Sequence, residues 1–387
     1  MKLLIVLRNI GPYHNSRFES LLNINVQIAV FETRPASKEY LWDIGKEFKY
    51  PVYRFPKSDN NEKDISNKDI DIFYKKYIPS INPNVIVSIG WADRSYQRLL
   101  LYSNHKGIPI IIVSDSIIAT ENKRKRSFFK EFIKRIILRG YSSAFVAGKE
   151  SCLYLEKLGF NQKYIFSPWD VVDNNFFKNY KIKGRKTQYK YFLCVSRLLE
   201  RKNLFKLIEA FSKYQNLGGS WGLKIIGSGE LYAKINDYSK IIPDKSKFQL
   251  LNWLQIDDLA FYYKDSSAFI LPSYFDNWGL VVNEAIASGL PCIVSKNCGC
   301  AVDLIINKKT GFIFNPLDCN ELVYLMQEIE NLDERLITEM TNLAKSNLES
   351  FNLNIFANNL KKAAYKAIEN PKKSYLSTMI LRIISLI

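Results

Sequence analysis

The sequence predicts an α/β protein built from two Rossmann-like, doubly wound domains. Three observations carry that expectation. Short apolar runs of strand length alternate with segments of helical periodicity. The alternation stops in a polar, aromatic stretch near the middle and then restarts. The length, 387 residues, exceeds a single ordinary core and suits two.

The first series begins with Leu3–Leu7 and Val26–Phe31. Val85–Ile89 and Ile108–Val113 follow, with Pro83 and Pro109 marking their entries, and Ala144–Ala147 is a further short run. Segments such as Arg94–Asn104 read as helices between them. Continuous apolar strands separated by helices imply parallel strands covered on both faces. From Pro168 to Lys190 the pattern breaks, with a basic run over Lys181–Lys190, and residues 171–190 are expected to form a linker. The second series comprises Tyr191–Val195, Leu223–Ile226, Phe248–Leu251, Ala268–Leu271, Pro291–Val294 and Gly311–Phe314. The expected boundaries are therefore an N-terminal Rossmann-like domain at 1–170 and a C-terminal Rossmann-like domain at 191–350. A helical segment at 351–387 has no strand after it and is expected to pack back on the first domain. Ligands of open α/β sheets bind at the carboxyl ends of the strands, and a pair of such domains would turn those ends toward a shared cleft.

Composition narrows the function classes. Hydrophobic residues make up 47% and charged residues 24%, a globular profile. The net charge of +17 fits nucleic acid, an anionic membrane surface or anionic small molecules equally well. No zinc module, helix-turn-helix or aromatic-basic RNA signature accompanies it, so no nucleic-acid partner is expected. The six cysteines, at 152, 194, 292, 298, 300 and 319, sit mostly in apolar runs, and no secretory leader is apparent, which favours free thiols in a reducing cytoplasm. Cys298 and Cys300 lack a second pair at metal spacing, so no metal is expected. No apolar run approaches the roughly 20 residues needed to span a bilayer.

Three strand ends carry candidate chemistry. In the run Leu271–Ile293, Asp276 lies in a loop, Gly279 stands at a helix start and Glu284 lies in the early turns of that helix. A helix start offers unpaired N–H groups and partial positive charge to phosphate or hydroxyl oxygens, and glycine lets a ligand approach the backbone. The two carboxylates suit vicinal hydroxyls; equally, Asp276 could cap the helix and Glu284 could be solvated. In Val195–Asn203, Arg197 and Lys202 span the turn after a strand and could both aim at one anionic group, or form a solvated basic turn. The third, Gly227-Ser-Gly229, is a glycine-rich turn of low specificity.

Together these strand ends resemble the donor half of glycosyltransferase family 4, the group 1 glycosyl transferases of the two-Rossmann-domain (GT-B) type. The family's two acidic residues with seven between them correspond to Asp276 and Glu284, followed by Ala285, Gly289 and Pro291. Ser196-Arg197-Leu198 with Lys202-Asn203 matches a second segment, and Gly299, Asp303, Thr310-Gly311 and Pro316-Leu-Asp318 match downstream elements. The resemblance is strongest over about 191–322. It implies that Arg197 and Lys202 bind the donor diphosphate and stabilise the leaving group. It implies that Asp276 contacts the transferred sugar and that Glu284 holds the ribose. The backbone at Asn277, Trp278, Gly279 and Leu280 would bind sugar or phosphate oxygens. Gly227 belongs to the same donor set, and the segment Leu250–Leu254, Leu254 included, would lie against the base. It also implies retention of anomeric configuration, with the leaving phosphate assisting deprotonation of the acceptor hydroxyl.

Two departures stand out. Asp276 is one methylene shorter than the family's usual Glu. The N-terminal half lacks an obvious match to the family's catalytic histidine, and Ser114-Asp115-Ser116 occupies the comparable strand end. His14, in Gly11–Arg17 after the first strand, and Asp115 are the candidates there, each with a loop hydrogen bond or helix cap as the plainer alternative.

The basic segment Lys123–Arg126 opens a helical stretch to Gly140 in which Phe129, Phe132, Ile133, Ile136 and Ile137 share a face; it is either an ordinary domain helix whose apolar stripe is core or a basic amphipathic helix that sits on an anionic membrane surface. The apolar tail Tyr375–Ile387 could also lie at an interface. The expected protein is therefore a retaining hexosyltransferase that uses a nucleotide sugar and no cofactor. It builds a cell-surface polysaccharide, lipopolysaccharide or glycolipid on a saccharide or lipid-linked acceptor, in the cytoplasm and peripherally on the inner membrane face. The alternatives are an inactive nucleotide-sugar-binding protein or a nucleotide-sugar epimerase of the same fold.

Overall fold

A computed structural model describes residues 1–34, 47–55, 65–118, 128–182 and 189–384. The chain forms two compact units, one of residues 1–171 and 353–387, the other of residues 172–352.

The first unit holds a seven-stranded parallel sheet: β1 (Lys2–Leu7), β2 (Gln27–Glu32), β3 (Val52–Arg54), β4 (Val85–Ile89), β5 (Ile110–Ser114), β6 (Ser143–Val146) and β7 (Ile165–Phe166). The order is β3-β2-β1-β4-β5-β6-β7, so the winding reverses between β1 and β4. β1, β4 and β5 are almost wholly buried, which explains why they read as unbroken Leu/Ile/Val runs. The covering helices are α1 (Pro12–Leu22), α2 (Asn67–Ile81), α3 (Arg94–Lys106), α4 (Phe128–Leu138) and α5 (Lys149–Lys157). Capping fixes several of their ends. Pro12 occupies the first turn of α1, Ser66 and Asp93 accept from backbone amides at the starts of α2 and α3, and left-handed Asn82 and Gly107 close those helices.

The second unit holds a six-stranded parallel sheet: β8 (Tyr191–Val195), β9 (Gly222–Ile226), β10 (Phe248–Leu251), β11 (Ala268–Leu271), β12 (Cys292–Ser295) and β13 (Phe312–Phe314). Its order is β10-β9-β8-β11-β12-β13, with the reversal between β8 and β11. Its helices are α6 (Asn174–Asn179), α7 (Leu204–Asn216), α8 (Tyr232–Tyr238), α9 (Ile256–Asp265), α10 (Leu280–Ser288), α11 (Ala301–Leu304), α12 (Cys319–Asn331) and α13 (Glu334–Leu348). The core is aromatic-rich: Phe192, Phe211, Tyr214 and Trp221 pack with Leu and Ile from α7 and α12.

The segment expected to be a linker carries α6, which packs on α10 within the second unit. Asp173 starts that helix by accepting from the Asn175 and Phe176 amides at 3.0 and 3.1 Å, and residues 183–188 lie outside the described residues. After Asn352 the chain returns to the first unit as α14 (Leu353–Glu369) against α1 and β6, then α15 (Tyr375–Ile384) against α3 and α4.

Helix α4 follows the domain-helix alternative over most of its apolar stripe. Ile136 and Ile137 are buried in the first unit's core and Ile133 packs against it, whereas Phe132 is 59% exposed. The residue sharing of the apolar face is therefore incomplete, because α15 and the core take up only part of it. The basic run Lys123–Arg126 and the side chain of Phe129 lie outside the described residues. Among the described residues no helix is long and apolar enough to cross a membrane.

Candidate functional site

The second unit's switch point, between β8 and β11, brings two of the candidate loops together. The β8 strand leads into Ser196–Asn203 and a 3-10 turn at Glu200–Lys202; β11 leads into Pro272–Gly279. Both are held mainly by backbone bonds. The Tyr274 amide donates to the Arg201 carbonyl at 2.9 Å, and the Asp276 amide to the Asn297 carbonyl at 3.2 Å. The Gly299 amide donates back to the Asp276 carbonyl at 3.0 Å. Asn203, in a left-handed conformation at φ 58°, uses its side-chain amide to bond the Pro272 and Pro316 carbonyls at 3.0 and 2.9 Å. One residue thereby ties together the loops after β8, β11 and β13.

Asp276 is buried, and two cations meet it. Arg201 Nη1 donates to Oδ1 at 2.9 Å, and Lys202 Nζ pairs with Oδ2. Lys202 is buried, whereas the Arg201 side chain is about one-third exposed at 34%. Burial by itself would raise the Asp276 pKa; the Lys202 and Arg201 charges outweigh it and hold the carboxyl below its ordinary value. The cluster carries one net positive charge. Arg197, expected to act with Lys202 on the donor diphosphate, is half-buried at the start of the same loop. Arg201 is the second cation on Asp276. Its signal in the sequence was adjacency to Lys202 on a turn, which a motif centred on Arg197 passes over.

Gly279 starts α10 with φ at 107°. A Cβ there would lie 2.8 Å from Leu271 Cδ2 and 3.4 Å from Cys300 Sγ, so packing inside the unit already requires glycine. Gly227 and Gly229 answer to the same logic. Their Cβ positions would fall 1.8 Å from the Ser196 carbonyl oxygen and 2.5 Å from that of Leu198. The glycine turn after β9 is zipped to the turn after β8, with the Leu198 amide donating to the Ser228 carbonyl at 2.9 Å and the Leu231 amide to the Leu198 carbonyl at 3.2 Å.

The remaining donor-side residues lie on and around α10 and beyond β10. Asn277 and Leu280 are half-buried. Trp278 is buried: its indole N–H donates to Asn283 Oδ1 at 2.9 Å, and its ring lies 5.4 Å from that of Phe351. Glu284 is fully buried, so the solvated alternative is excluded, and it accepts the Tyr263 hydroxyl at 2.6 Å. Tyr263, on α9, gave no signal in the sequence because the contact arises from helix packing across 21 positions. Leu250 packs against the unit's core and Leu254 is half-buried in the loop beyond β10. Of the downstream elements, Asp318 caps α12 and Thr310 closes its own turn, accepting the Ile306 amide at 2.7 Å.

The first unit's two candidates follow different strands, His14 after β1 and Asp115 after β5. Asp115 is exposed at the end of β5. His14 lies on α1, not in a loop, and its Nδ1 accepts the Gly11 amide at 3.1 Å, the plainer capping alternative. Burial, with a smaller contribution from Arg17, lowers its pKa to about 3, so the imidazole is neutral with its proton on Nε2. Proton transfer is most efficient when the pKa lies near the working pH, which places His14 poorly as a general base. The cysteines are all unpaired as disulfides, and burial pushes the Cys298 and Cys300 thiols up. Among the described residues no group of three or more His, Cys, Asp or Glu side chains is placed to hold a metal ion.

The family model "Glycosyl transferases group 1" matches residues 175–346, nearly the whole second unit. An uncharacterized glycosyltransferase of Haemophilus influenzae is 33% identical over 144 residues, covering 37% of this chain and 40% of its own. The Escherichia coli UDP-Gal:alpha-D-GlcNAc-diphosphoundecaprenol alpha-1,3-galactosyltransferase is 30% identical over 182 residues, covering 45% of this chain and 44% of its own. The chain thus spans less than half the length of these curated relatives. The fold match is longer: the structure of Anabaena HepE in complex with UDP-glucose superposes with a TM-score of 0.73 over 94% of this chain and 99% of that one, at 14% identity. The strand-end cluster thus lies inside the segment, residues 175–346, that is similar to the group 1 glycosyl transferases, and each of the two units carries a Rossmann-like parallel sheet.

Proposed function

We propose that this chain is a glycosyltransferase that moves a hexose from a nucleotide-sugar donor to a saccharide or lipid-linked acceptor, with retention of configuration, in cell-surface polysaccharide or glycolipid synthesis. The observation that carries the reading is the convergence of Lys202 and Arg201 on Asp276 at the switch point of the second unit. Breaking the anomeric bond of a nucleotide sugar leaves negative charge on a diphosphate. A cluster with net positive charge, next to the start of α10, supplies the opposing field without a metal. Preorganised charge of this kind is commonly worth several kcal/mol in a transition state. Arg197 adds a further cation from the same loop.

In this reading a donor diphosphate competes with Asp276 for Lys202 and Arg201. The carboxylate released from one of them then meets the sugar hydroxyls. Glu284, held from behind by Tyr263, serves the ribose, and the Leu250–Leu254 segment lies against the base. The segment leading into α10, from Asn277 to Leu280, offers backbone amides to sugar or phosphate oxygens. The names of the relatives support the pathway: one acts on a diphosphoundecaprenol-linked sugar, another is a capsular polysaccharide glycosyltransferase of Staphylococcus aureus. Action at the inner face of a membrane, from the cytoplasm, follows from a lipid-linked acceptor.

Thermal stabilisation tests the reading. One nucleotide sugar among a panel is expected to raise the unfolding midpoint, and Lys202→Ala and Arg197→Ala are expected to abolish the rise. A panel in which none stabilises the protein would overturn it, as would stabilisation retained in both variants. Transfer of labelled sugar to a lipid extract then separates an enzyme from a binding protein.

A further inference from the structure

The first unit contains a cavity of about 270 Å³ that none of the donor-site residues touches. One wall is cationic and amide-bearing: Arg94, Gln97 and Arg98 along one face of α3, and Asn67 at the start of α2. The other wall is apolar: Leu101 of α3 with Leu381 and Ile384 of α15. Arg98 is tied to Asp71, its Nε donating to Oδ1 at 2.8 Å. Asp93 next door is engaged by Arg34 at 2.9 Å and Arg8 at 3.4 Å. Arg94 has no ion-pair partner among the described residues, so the cavity keeps an uncompensated positive charge beside hydrocarbon.

The same helix that supplies the apolar wall presents a second feature outward. On α15, Leu381 and Ser377 face the core, while Tyr375, Leu376, Met379 and Ile383 form an exposed strip at helical spacing, Tyr375 at 87% and Ile383 at 49%. Arg382 is exposed beside the strip, and Phe132 of α4, the helix packed against α15, is exposed too. Exposed apolar side chains rimmed by cations on a chain of net charge +17 complement an anionic interface.

We propose that this cavity binds a phosphate ester carried on a long hydrocarbon chain, with Arg94 on the phosphate, Leu101, Leu381 and Ile384 on the first carbons of the chain, and the outer strip of α15 lying in the same membrane surface. The charge selects phosphate, the apolar wall selects the lipid form over free phosphate, and the strip keeps the chain in the bilayer. That the bound lipid is the carrier of the acceptor rests on the glycosyltransferase reading; its binding does not.

Co-sedimentation of the full chain with vesicles tests the proposal. Neutral phosphatidylcholine vesicles are compared with vesicles also containing phosphatidylglycerol, and with vesicles doped with a polyprenyl phosphate. Binding is expected on the phosphate-bearing vesicles and little on neutral ones; the preference between the two doped vesicles identifies the source of the phosphate. Each basic residue near an anionic surface contributes roughly a fivefold factor, so Arg94→Glu is expected to lower partitioning roughly 25-fold. Met379→Glu with Ile383→Glu is expected to release the chain from all vesicles. Glycerol phosphate, the soluble form, is expected not to compete. All three substituted positions of these variants are solvent-exposed, and an unchanged unfolding midpoint checks their fold. Arg94→Glu partitioning like the parent chain, equal binding to neutral vesicles, or competition by glycerol phosphate would each overturn the proposal. Nucleotide-sugar stabilisation measured on the same samples reports separately on the second unit, so the two readings fail independently.

Discussion

Tyr263 reaches from α9 to donate its hydroxyl to Glu284 on α10, 2.6 Å away, and both side chains are fully buried. A carboxylate taken out of water needs such donors, because leaving a buried acceptor unsatisfied costs about 1–3 kcal/mol. The pair also fixes where the Glu284 carboxylate stands beneath the first turns of α10.

Tyr263→Phe removes the hydroxyl and keeps the ring against Phe177 and Phe269. The expected loss is about 1–3 kcal/mol of unfolding free energy. If Glu284 serves the ribose, nucleotide affinity falls as well, and KM for the donor rises more than kcat drops. Chemical denaturation and donor titration measure the two effects. A variant that loses stability and keeps its donor affinity would confine Tyr263 to a structural role.

The Lys202–Asp276 pair predicts an asymmetry between two neighbouring cations. Lys202 is buried and Arg201 is about one-third exposed. Removing one partner of a buried ion pair strands the other, at a cost of roughly 3 kcal/mol, whereas a solvent-screened pair contributes about 1 kcal/mol or less. Lys202→Met is therefore expected to destabilise the second unit clearly more than Arg201→Met. The Asp276 pKa is held below its unfolded value, so the pair's stabilisation is complete above pH ~4 and is lost as pH falls below that toward the folded pKa. Asp276→Asn, which strands Lys202, is expected to be less stable than the parent chain at neutral pH and to approach it on acidification. Urea unfolding at pH 7 and in the acid range checks both statements; a constant gap across that range would contradict the linkage.

How much of this was legible in the sequence follows from the distance over which each feature acts. The strands declared themselves because parallel strands covered on both faces need unbroken apolar runs, as in Leu3–Leu7 and Ile110–Val113. Asp276, Gly279 and Glu284 were legible as a spaced set on one loop and helix. What was not legible came from packing between distant segments: Tyr263 on Glu284, Asn203 on Pro272 and Pro316, and Arg201 on Asp276. Short β3 and β7 carry too few residues to show a period. The helix at Asn174–Asn179 was hidden in a polar, aromatic stretch whose apolar contacts are made by α10.

The glycines make a prediction that separates two explanations of the same residue. Gly279→Ala would place a methyl 2.8 Å from Leu271 Cδ2 at φ 107°, and Gly227→Ala would place one 1.8 Å from the Ser196 carbonyl oxygen. A carbonyl in a zipped backbone turn has nowhere to move, whereas a leucine methyl can shift. Gly227→Ala is expected to prevent folding of the second unit, and Gly279→Ala to cost about 1–3 kcal/mol from strain and local displacement. Both losses appear without any ligand in thermal unfolding. A Gly279→Ala chain of parental stability that binds donor poorly would instead show that glycine is kept there for the ligand's approach.

His14 gives the most direct test of a pKa. Burial holds its imidazole at about 3 in the folded chain, far below the unfolded value near 6.5. The neutral form is therefore favoured by folding, and the linked stabilisation is complete above pH ~6.5 and is lost as pH falls from there toward 3. The His14 ring resonances are expected to stay unshifted between pH 5 and 8, and the pH–rate profile of sugar transfer is expected to show no limb that disappears in His14→Gln. Gln offers a side-chain carbonyl to the Gly11 amide, so this variant keeps the start of α1 while removing the titrating group. An acid limb with an apparent pKa near 6.5 that vanishes in His14→Gln would place the imidazole in proton transfer and set aside its role as a helix cap.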